Sequence, residues 1–401
     1  MKQLGRVSAI KYGFTEKARH APVGPRFLRI TDIQDSGVDW STVPYCPISE
    51  PDKRQFRLKS GDIVFARTGA TTGKSFLIID PPDAVFASYL IRLRISEDRL
   101  LPEFVSYYFQ TKKYWDAISG GIAGSAQGGF NASKLAELEI AFPTRTEQRR
   151  IVAILDEAFA GLEAMRANAE KNLQNASDLF DSCLQSVLTQ RGKGWKQKTL
   201  EEVADADCTL SYGIVQPGSE VPKGLPIVRP TDLTTKVVRL DGLKRIDPNL
   251  AQGYTRTTLK GGELLLCVRG STGVLSIAAP ELAGANVTRG IVPIRFHANE
   301  LASDFGYYLI RSDEVQNQIR EKTYGAALMQ INIRDLRNLT LTFPPLKEQR
   351  AIAIKLDALA SETQSLESIY SQKLAAIAEL KQSILQKAFS GQLTSSETIA
   401  A

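Results

Sequence analysis

Histidine is nearly missing from this 401-residue chain, which has only His20 and His297. Cysteine is almost as scarce: Cys46, Cys183, Cys208 and Cys267 stand far apart, with no CxxC pair. Zinc clusters and disulfide frameworks need such residues at short, regular spacings, so neither underlies this fold. Long apolar runs are missing as well. The longest uncharged stretch, Ile118 to Ser133, reads ISGGIAGSAQGGFNAS, too short and too rich in Gly, Ser and Gln to span a bilayer. The first residues carry charge at Arg6 and Lys11 and offer no apolar h-region, so the expectation is a cytoplasmic protein without a membrane anchor. With 43% hydrophobic and 23% charged residues the composition is that of a globular chain, and the length favours two to three domains.

Enzymatic signatures are absent too. Gly69-Ala70-Thr71-Thr72-Gly73-Lys74-Ser75 resembles a phosphate-binding loop, but the pattern requires Gly where Thr68 stands. Asp80-Pro81-Pro82-Asp83 has the start of an amino-methyltransferase tetrapeptide, yet ends in Asp where an aromatic residue must stack on a flipped base. No HExxH, no Gly-rich cofactor loop and no nucleophile beside a histidine occurs, so the chain is read as non-catalytic.

What is present is a duplication. Asn131 to Asp156 matches Asn332 to Asp357 at a constant offset of 201, with 11 identities in 26 positions. Looser matches keep the same order: Tyr12-Gly13 with Tyr212-Gly213, Arg29…Asp32 with Arg229…Asp232, Arg67…Gly73 with Arg269…Gly273, and Tyr107-Tyr108 with Tyr307-Tyr308. Before Pro143 the first copy is made of short β-forming segments split by Gly, Pro and Asp turns. After it, apolar residues recur at three- and four-residue steps from Leu155 through Ala158, Leu162, Met165, Ala169 and on to Val187. The second copy repeats this from Leu356 through Leu366, Leu374 and Leu380 to Ala388. These are two long helices of about 45 residues with coiled-coil seams. Thr144 to Glu147 fits a capping box, and Gly192 and Gly391 mark the ends.

The expected fold is therefore mixed α/β: two strand-rich α/β domains, 1–143 and 193–344, joined by two long antiparallel coiled-coil helices, 144–192 and 345–391, with a tail over 392–401 and a pseudo-two-fold internal repeat. Antiparallel packing would place one globular domain at each end, with helix length setting the spacing between them; the alternative is each helix folded back on its own domain.

The net charge of +6 lies wholly in the first 200 residues, which hold 28 basic against 22 acidic residues, while the remainder is balanced at 22 against 22. That excess is compatible with a polyanion. Arg67, Thr68, Thr71, Thr72 and Lys74 place cations and hydroxyls on a flexible loop, as do Arg269, Ser271 and Thr272. Such groups hydrogen-bond base edges and phosphates, although Gly and Thr clusters also simply make turns. Gln127 and Gln330 are further candidates for DNA contact. The paired tyrosines fall in apolar helical patterns and read as core. Glu147-Gln148-Arg149 and Glu348-Gln349-Arg350 repeat identically at polar positions of a first helical turn, where they hold either the neighbouring helix or a partner protein.

The run Phe343-Pro344-Pro345-Leu346-Lys347-Glu348-Gln349-Arg350, with its echo Phe142-Pro143…Glu147-Gln148-Arg149, resembles the specificity (S) subunits of type I restriction-modification systems. The resemblance covers essentially the whole chain; the first copy departs from it with Thr144-Arg145 where the second has Pro345-Leu346. It implies a target-recognition domain, a conserved helix, a second such domain and a second helix, in that order. It also implies a non-catalytic reader of double-stranded DNA, and because the loops of the two copies differ, the expected target is bipartite and asymmetric. The partners implied are two methyltransferase subunits and restriction/translocase subunits; SAM, ATP and Mg are expected on those partners and no cofactor on this chain. The rival reading is a coiled-coil protein scaffold without DNA readout.

Overall fold

The computed structural model describes residues 1–34, 37–123, 129–325 and 328–394. The chain forms two compact units, one holding Met1–Glu170 and Ser371–Ala401, the other Lys171–Tyr370. Both are mixed α/β, and each combines a strand-rich body with portions of two long helices, Arg145–Thr189 and Leu346–Ser390, of 45 residues each. Gly391, at φ +81°, takes the left-handed position that closes the second of these. The first stops at Thr189, before Gly192.

In the first unit, β1 (Ser8–Tyr12), β2 (Asp62–Ala66), β3 (Ser75–Leu77) and β4 (Leu90–Ile95) form an antiparallel sheet in the order β1-β4-β2-β3. Asp-Ile-Val-Phe-Ala of β2 is buried along its whole length, as a short continuous apolar run in a central strand should be. Helices α1 (Pro102–Tyr108) and α2 (Lys112–Ala123) follow. Ile63, Phe65, Phe104 and Tyr114 share one core with Ile151 and Leu155 from the start of the first long helix and Leu385 and Ala388 from the end of the second.

In the second unit the sheet is β5 (Val237–Val238), β6 (Leu264–Cys267), β7 (Leu275–Ala278) and β8 (Ile291–Ile294), in the order β5-β7-β6-β8; β6, β7 and β8 repeat β2, β3 and β4, and β5 lies at the opposite edge from the one β1 takes. Here the β5–β7 pair is parallel. Helices α3 (Ser303–Arg311) and α4 (Asp313–Lys322) pack on the sheet, and the core joins Phe180, Leu184 and Leu188 to Ala353 and Leu356. Within each unit the beginning of one long helix thus packs beside the end of the other, the antiparallel arrangement expected. The buried seam is narrower than the apolar pattern suggested. Leu155, Leu162, Ala169 and Ala176 are buried at seven-residue intervals, whereas Met165, Leu366 and Leu380 stand 54%, 38% and 46% exposed.

The repeated Glu-Gln-Arg triplets explain how each helix is fixed to its body. Gln148 is fully buried: its Oε1 accepts from the Leu101 amide at 2.9 Å, and its Nε2 donates to the Arg99 and Pro143 carbonyls at 2.7 and 2.9 Å. Gln349 does the same with the Ala302 amide at 2.8 Å and the Glu300 and Pro344 carbonyls at 2.8 and 2.7 Å. These two glutamines therefore leave the set of partner-binding residues, because their amides are spent on buried backbone within their own unit. A second tie follows along each helix, where the Tyr107 hydroxyl donates to Asp156 and the Tyr308 hydroxyl to Asp357. The pairing by role is Tyr107 with Tyr308, at the same offset of 201, rather than Tyr107 with Tyr307 as the sequence alignment had it. Tyr108, Tyr307 and Tyr308 are buried as expected, and Tyr107 is half-buried.

Replacing Gln148 or Gln349 by Ala strands one amide and two carbonyls and is expected to cost about 1–3 kcal/mol each in chemical denaturation. Gln→Glu, which turns a carboxylate toward two carbonyls, should be at least as damaging; a loss below about 0.5 kcal/mol would contradict the role of the amide.

The tyrosine ties bear on alkaline stability. Burial first, then the hydrogen bond to the neighbouring carboxylate, raises the Tyr107 and Tyr308 phenols well above their ordinary 10; burial pushes Tyr108 up to about 12. A phenol raised in the folded state ionises first in the unfolded chain, so its stabilisation is complete below pH 10 and is lost as pH climbs toward the folded value. Denaturation midpoints should fall above pH 10, and the double variant Tyr107→Phe/Tyr308→Phe should show a shallower fall.

Candidate nucleic-acid interface

The two Gly-rich loops leave the ends of β2 and β6 with one backbone shape. Gly69 and Gly270 have φ +79° and +85°, and Gly73 and Gly273 both have +95°. In the first loop Ala66 N donates to Lys74 O at 2.8 Å and Gly73 N to Ala66 O at 2.9 Å. In the second, Cys267 N donates to Val274 O and Gly273 N to Cys267 O at the same two distances. Each is braced by a helix of its own unit: the buried Tyr114 of α2 donates to Gly73 O at 2.6 Å, and Gln316 of α4 donates to Gly273 O at 3.2 Å.

The hydrogen bonds also correct the loop alignment. Phe130 N donates to Arg67 O, and Ile331 N to Val268 O, both at 3.0 Å. Arg67 therefore corresponds to Val268, and Thr68 to Arg269; the second loop is one residue shorter. The two arginines thus occupy backbone positions one residue apart. The Arg67 guanidinium lies 5.1 Å from the Tyr12 ring centroid, with its Nε held by Ser88 O at 3.0 Å. In the second unit burial raises the Tyr212 phenol, and the Arg269 Nε is buried without a hydrogen bond.

Thr68 and Thr71 are half-buried in the first loop and Lys74 is exposed. Thr72 is 6% exposed, and its hydroxyl donates to Gly69 O at 2.7 Å. That residue closes the turn and is withdrawn from the contact set. In the second loop Ser271 is exposed, and the Thr272 hydroxyl lies 3.4 Å from Met329 O. Gln330 pairs directly with Arg269 through the backbone, so these candidates come together in space. Gln127 lies outside the described residues.

Around these shared platforms the side walls differ. In the first unit Tyr89 is 61% exposed, and its carbonyl accepts from Arg67 N at 3.2 Å. Gly290 holds that place in the second unit, where a Cβ would run into Pro230 at 2.7 Å. In the second unit Tyr324 pairs with Gln330 through the backbone, and Tyr324, Leu328 and Met329 are exposed. No repeated motif of the sequence marked these wall residues; the Tyr12-Gly13 and Tyr212-Gly213 repeat marked only the tyrosine beneath Arg67 and its counterpart.

The remaining members of the Glu-Gln-Arg triplets stay near the surface. Arg149, Glu348 and Arg350 are exposed and Glu147 is half-buried, its amide 3.4 Å from Thr144 Oγ1, which is one bond of the expected capping box. Trp195 Nε1 donates to Glu348 at 3.3 Å. Arg350 lines a hollow of about 660 Å³ with Asp304 and Ile354, the latter 70% exposed. Among the described residues no helix is long and apolar enough to cross a membrane, and no cluster of His, Cys, Asp and Glu is arranged to hold a metal.

Comparison with known proteins gives one consistent result. Residues 35–172 and 192–375 match the type I restriction modification DNA specificity domain. The chain is 22% identical over 333 residues to the type I restriction enzyme EcoBI specificity subunit of Escherichia coli, covering 78% of this chain and 70% of that one. It is 22% identical over 387 residues to the StySPI specificity subunit of Salmonella potsdam, covering 92% and 82%. Two solved structures share the fold. One, from work on complex assembly and conformational transition of a type I R-M system, superposes with a TM-score of 0.76 at 20% identity, covering 98% of this chain and 97% of that one. The other, the HsdS subunit of Thermoanaerobacter tengcongensis, gives 0.55 at 20% identity, covering 98% and 96%. The duplicated α/β bodies, the paired long helices and these matches lead to one conclusion: the chain belongs to the specificity-subunit family of type I restriction-modification systems.

Proposed function

We propose that this chain reads a bipartite, asymmetric target on double-stranded DNA, one half-site per unit, and recruits two methyltransferase subunits and the restriction/translocase subunits that do the chemistry. The observation that carries the reading is the pair of loops alike in backbone and unlike in surroundings. Shared glycine conformations and closing hydrogen bonds, braced in each unit by its own helix, suit docking on the same polyanion. The exchange of Tyr89 for Gly290, and the exposed Tyr324, Leu328 and Met329 beside Arg269, suit different bases. Arg67, its Nε held by a carbonyl and its plane over Tyr12, is an oriented fork of the kind that meets guanine bidentately. SAM, ATP and Mg then belong to the partner subunits, and this chain contributes recognition alone.

Partner recruitment is supported by the surface that remains once the glutamines are assigned to the fold. Glu348 and Arg350, with Ile354 one turn beyond Arg350, expose two charges and an apolar side chain on one stretch of helix. Glu147 and Arg149 repeat the charges in the first copy.

Mapping methylated sites in a host that expresses this chain with its methyltransferase subunit should yield two unlike half-sites. Arg67→Ala should weaken recognition of one of them by about 1–3 kcal/mol and leave the other unchanged if the fork meets a base. Loss spread evenly over all sequences would assign Arg67 to phosphate, and binding that ignores sequence altogether would favour the scaffold reading.

Charge reversal of Glu348 and Arg350 together should lower the methyltransferase stoichiometry in size-exclusion chromatography with light scattering, with the circular dichroism spectrum intact. Unfolding of that variant, or full stoichiometry, would remove these residues from the docking surface.

A further inference from the structure

We infer that Leu328 and Met329 read the 5-methyl group of a thymine in the half-site of the second unit, an inference that rests on the DNA reading proposed above. The described residues around them are tied to the unit by backbone hydrogen bonds. Tyr324 and Gln330 exchange two backbone hydrogen bonds, both 2.9 Å; Gly270 N donates to Met329 O at 2.8 Å; and Gln330 pairs with Arg269. The backbone of Met329 and Gln330 is thus pinned to the Gly-rich loop, yet Tyr324, Leu328 and Met329 stand 48%, 45% and 44% exposed within six residues. Single exposed apolar side chains are ordinary, but three so close together beside a tied loop make surface suited to a partner.

Arg269 beside them selects the kind of partner surface. An arginine fork reads guanine in the major groove, and the apolar group offered along that groove's base edges is the thymine methyl. Apolar side chains in the minor groove act differently, as wedges that unstack a base step and kink the duplex. The copies also differ at these positions. At an offset of 201 the first copy has Ala123, Gln127 and Gly128 where the second has Tyr324, Leu328 and Met329. An apolar reader is thus encoded in one copy alone, which suits a target whose halves are unlike.

The test uses the full chain with its methyltransferase partner and duplexes carrying the mapped target, each thymine replaced in turn by deoxyuridine so that only a methyl is lost. Wild type should lose about fourfold in affinity at one or more thymines of a single half-site, the effect of one uncovered methyl group. Leu328→Ala/Met329→Ala should bind thymine and uracil duplexes equally at those positions, and so should Leu328→Gln/Met329→Gly, which installs the first copy's residues. Unchanged thermal melting and unchanged recognition of the other half-site control for folding. Indifference of wild type to every replacement, a half-site pair without thymine, or a variant that keeps the wild-type ratio would overturn the inference. Duplex bending without a methyl effect would also overturn it, in favour of a wedge. Wild-type sequence preference is measured in the same assay: its absence defeats the DNA reading itself, whereas preference without a methyl effect defeats this inference alone.

Discussion

One buried amide at the start of each long helix governs the joint on which both units depend. A helix start leaves backbone amides without partners, and the chain leading into it brings carbonyls that also need satisfying. Gln148 and Gln349 sit where helix, entering strand and the loop before α1 or α3 converge, and each satisfies one amide and two carbonyls. A buried amide with any of these bonds unmade would be costly, so the arrangement tolerates little variation in the angle at which the helix leaves its body. The Tyr107–Asp156 and Tyr308–Asp357 bonds fix the same helix again further along. Lys236 adds a cation in the second unit, paired with Asp357 and lying 4.8 Å over the Tyr308 ring.

With the helices held in this way, each sheet presents its loop from a fixed strand end. The two loops share their glycine conformations and closing hydrogen bonds although the second is a residue shorter and its arginine is displaced by one position. Duplication has preserved the frame and freed the side chains around it. In the first copy the arginine lies over Tyr12, while the neighbouring wall changes from an exposed tyrosine to a glycine, and the second copy has Tyr324, Leu328 and Met329 where the first has Ala123, Gln127 and Gly128. A recognition module that must read unlike sequences from like scaffolds requires variation of that kind, confined to side chains that the core does not use.

The buried charges belong to the frame as well. Asp62 with Arg94, and Glu263 with Arg295, are equivalent pairs that reach across β2–β4 and β6–β8. Their repetition at matching positions places them with the structural inheritance of the duplication.

Much of this was legible in order alone. An offset of 201 held over Asn131 to Asp156 is a statement about duplication that needs no coordinates, and apolar recurrence after Pro143 and Pro345 was enough for two helices of 45 residues. Local pattern determines such elements because helix period and strand alternation are properties of neighbouring residues. The role of the Glu-Gln-Arg triplet was not legible, since a polar residue in a first helical turn looks the same whether it faces water or a buried set of carbonyls. Nor was the register of the Gly-rich loops, where a one-residue deletion is invisible until hydrogen bonds show which residues share a level. The sequence by itself determined the repeat, the elements and the family; tertiary structure alone decided which polar side chains are consumed by the frame and which exposed ones gather beside the arginines, because those depend on contacts between segments far apart in the chain.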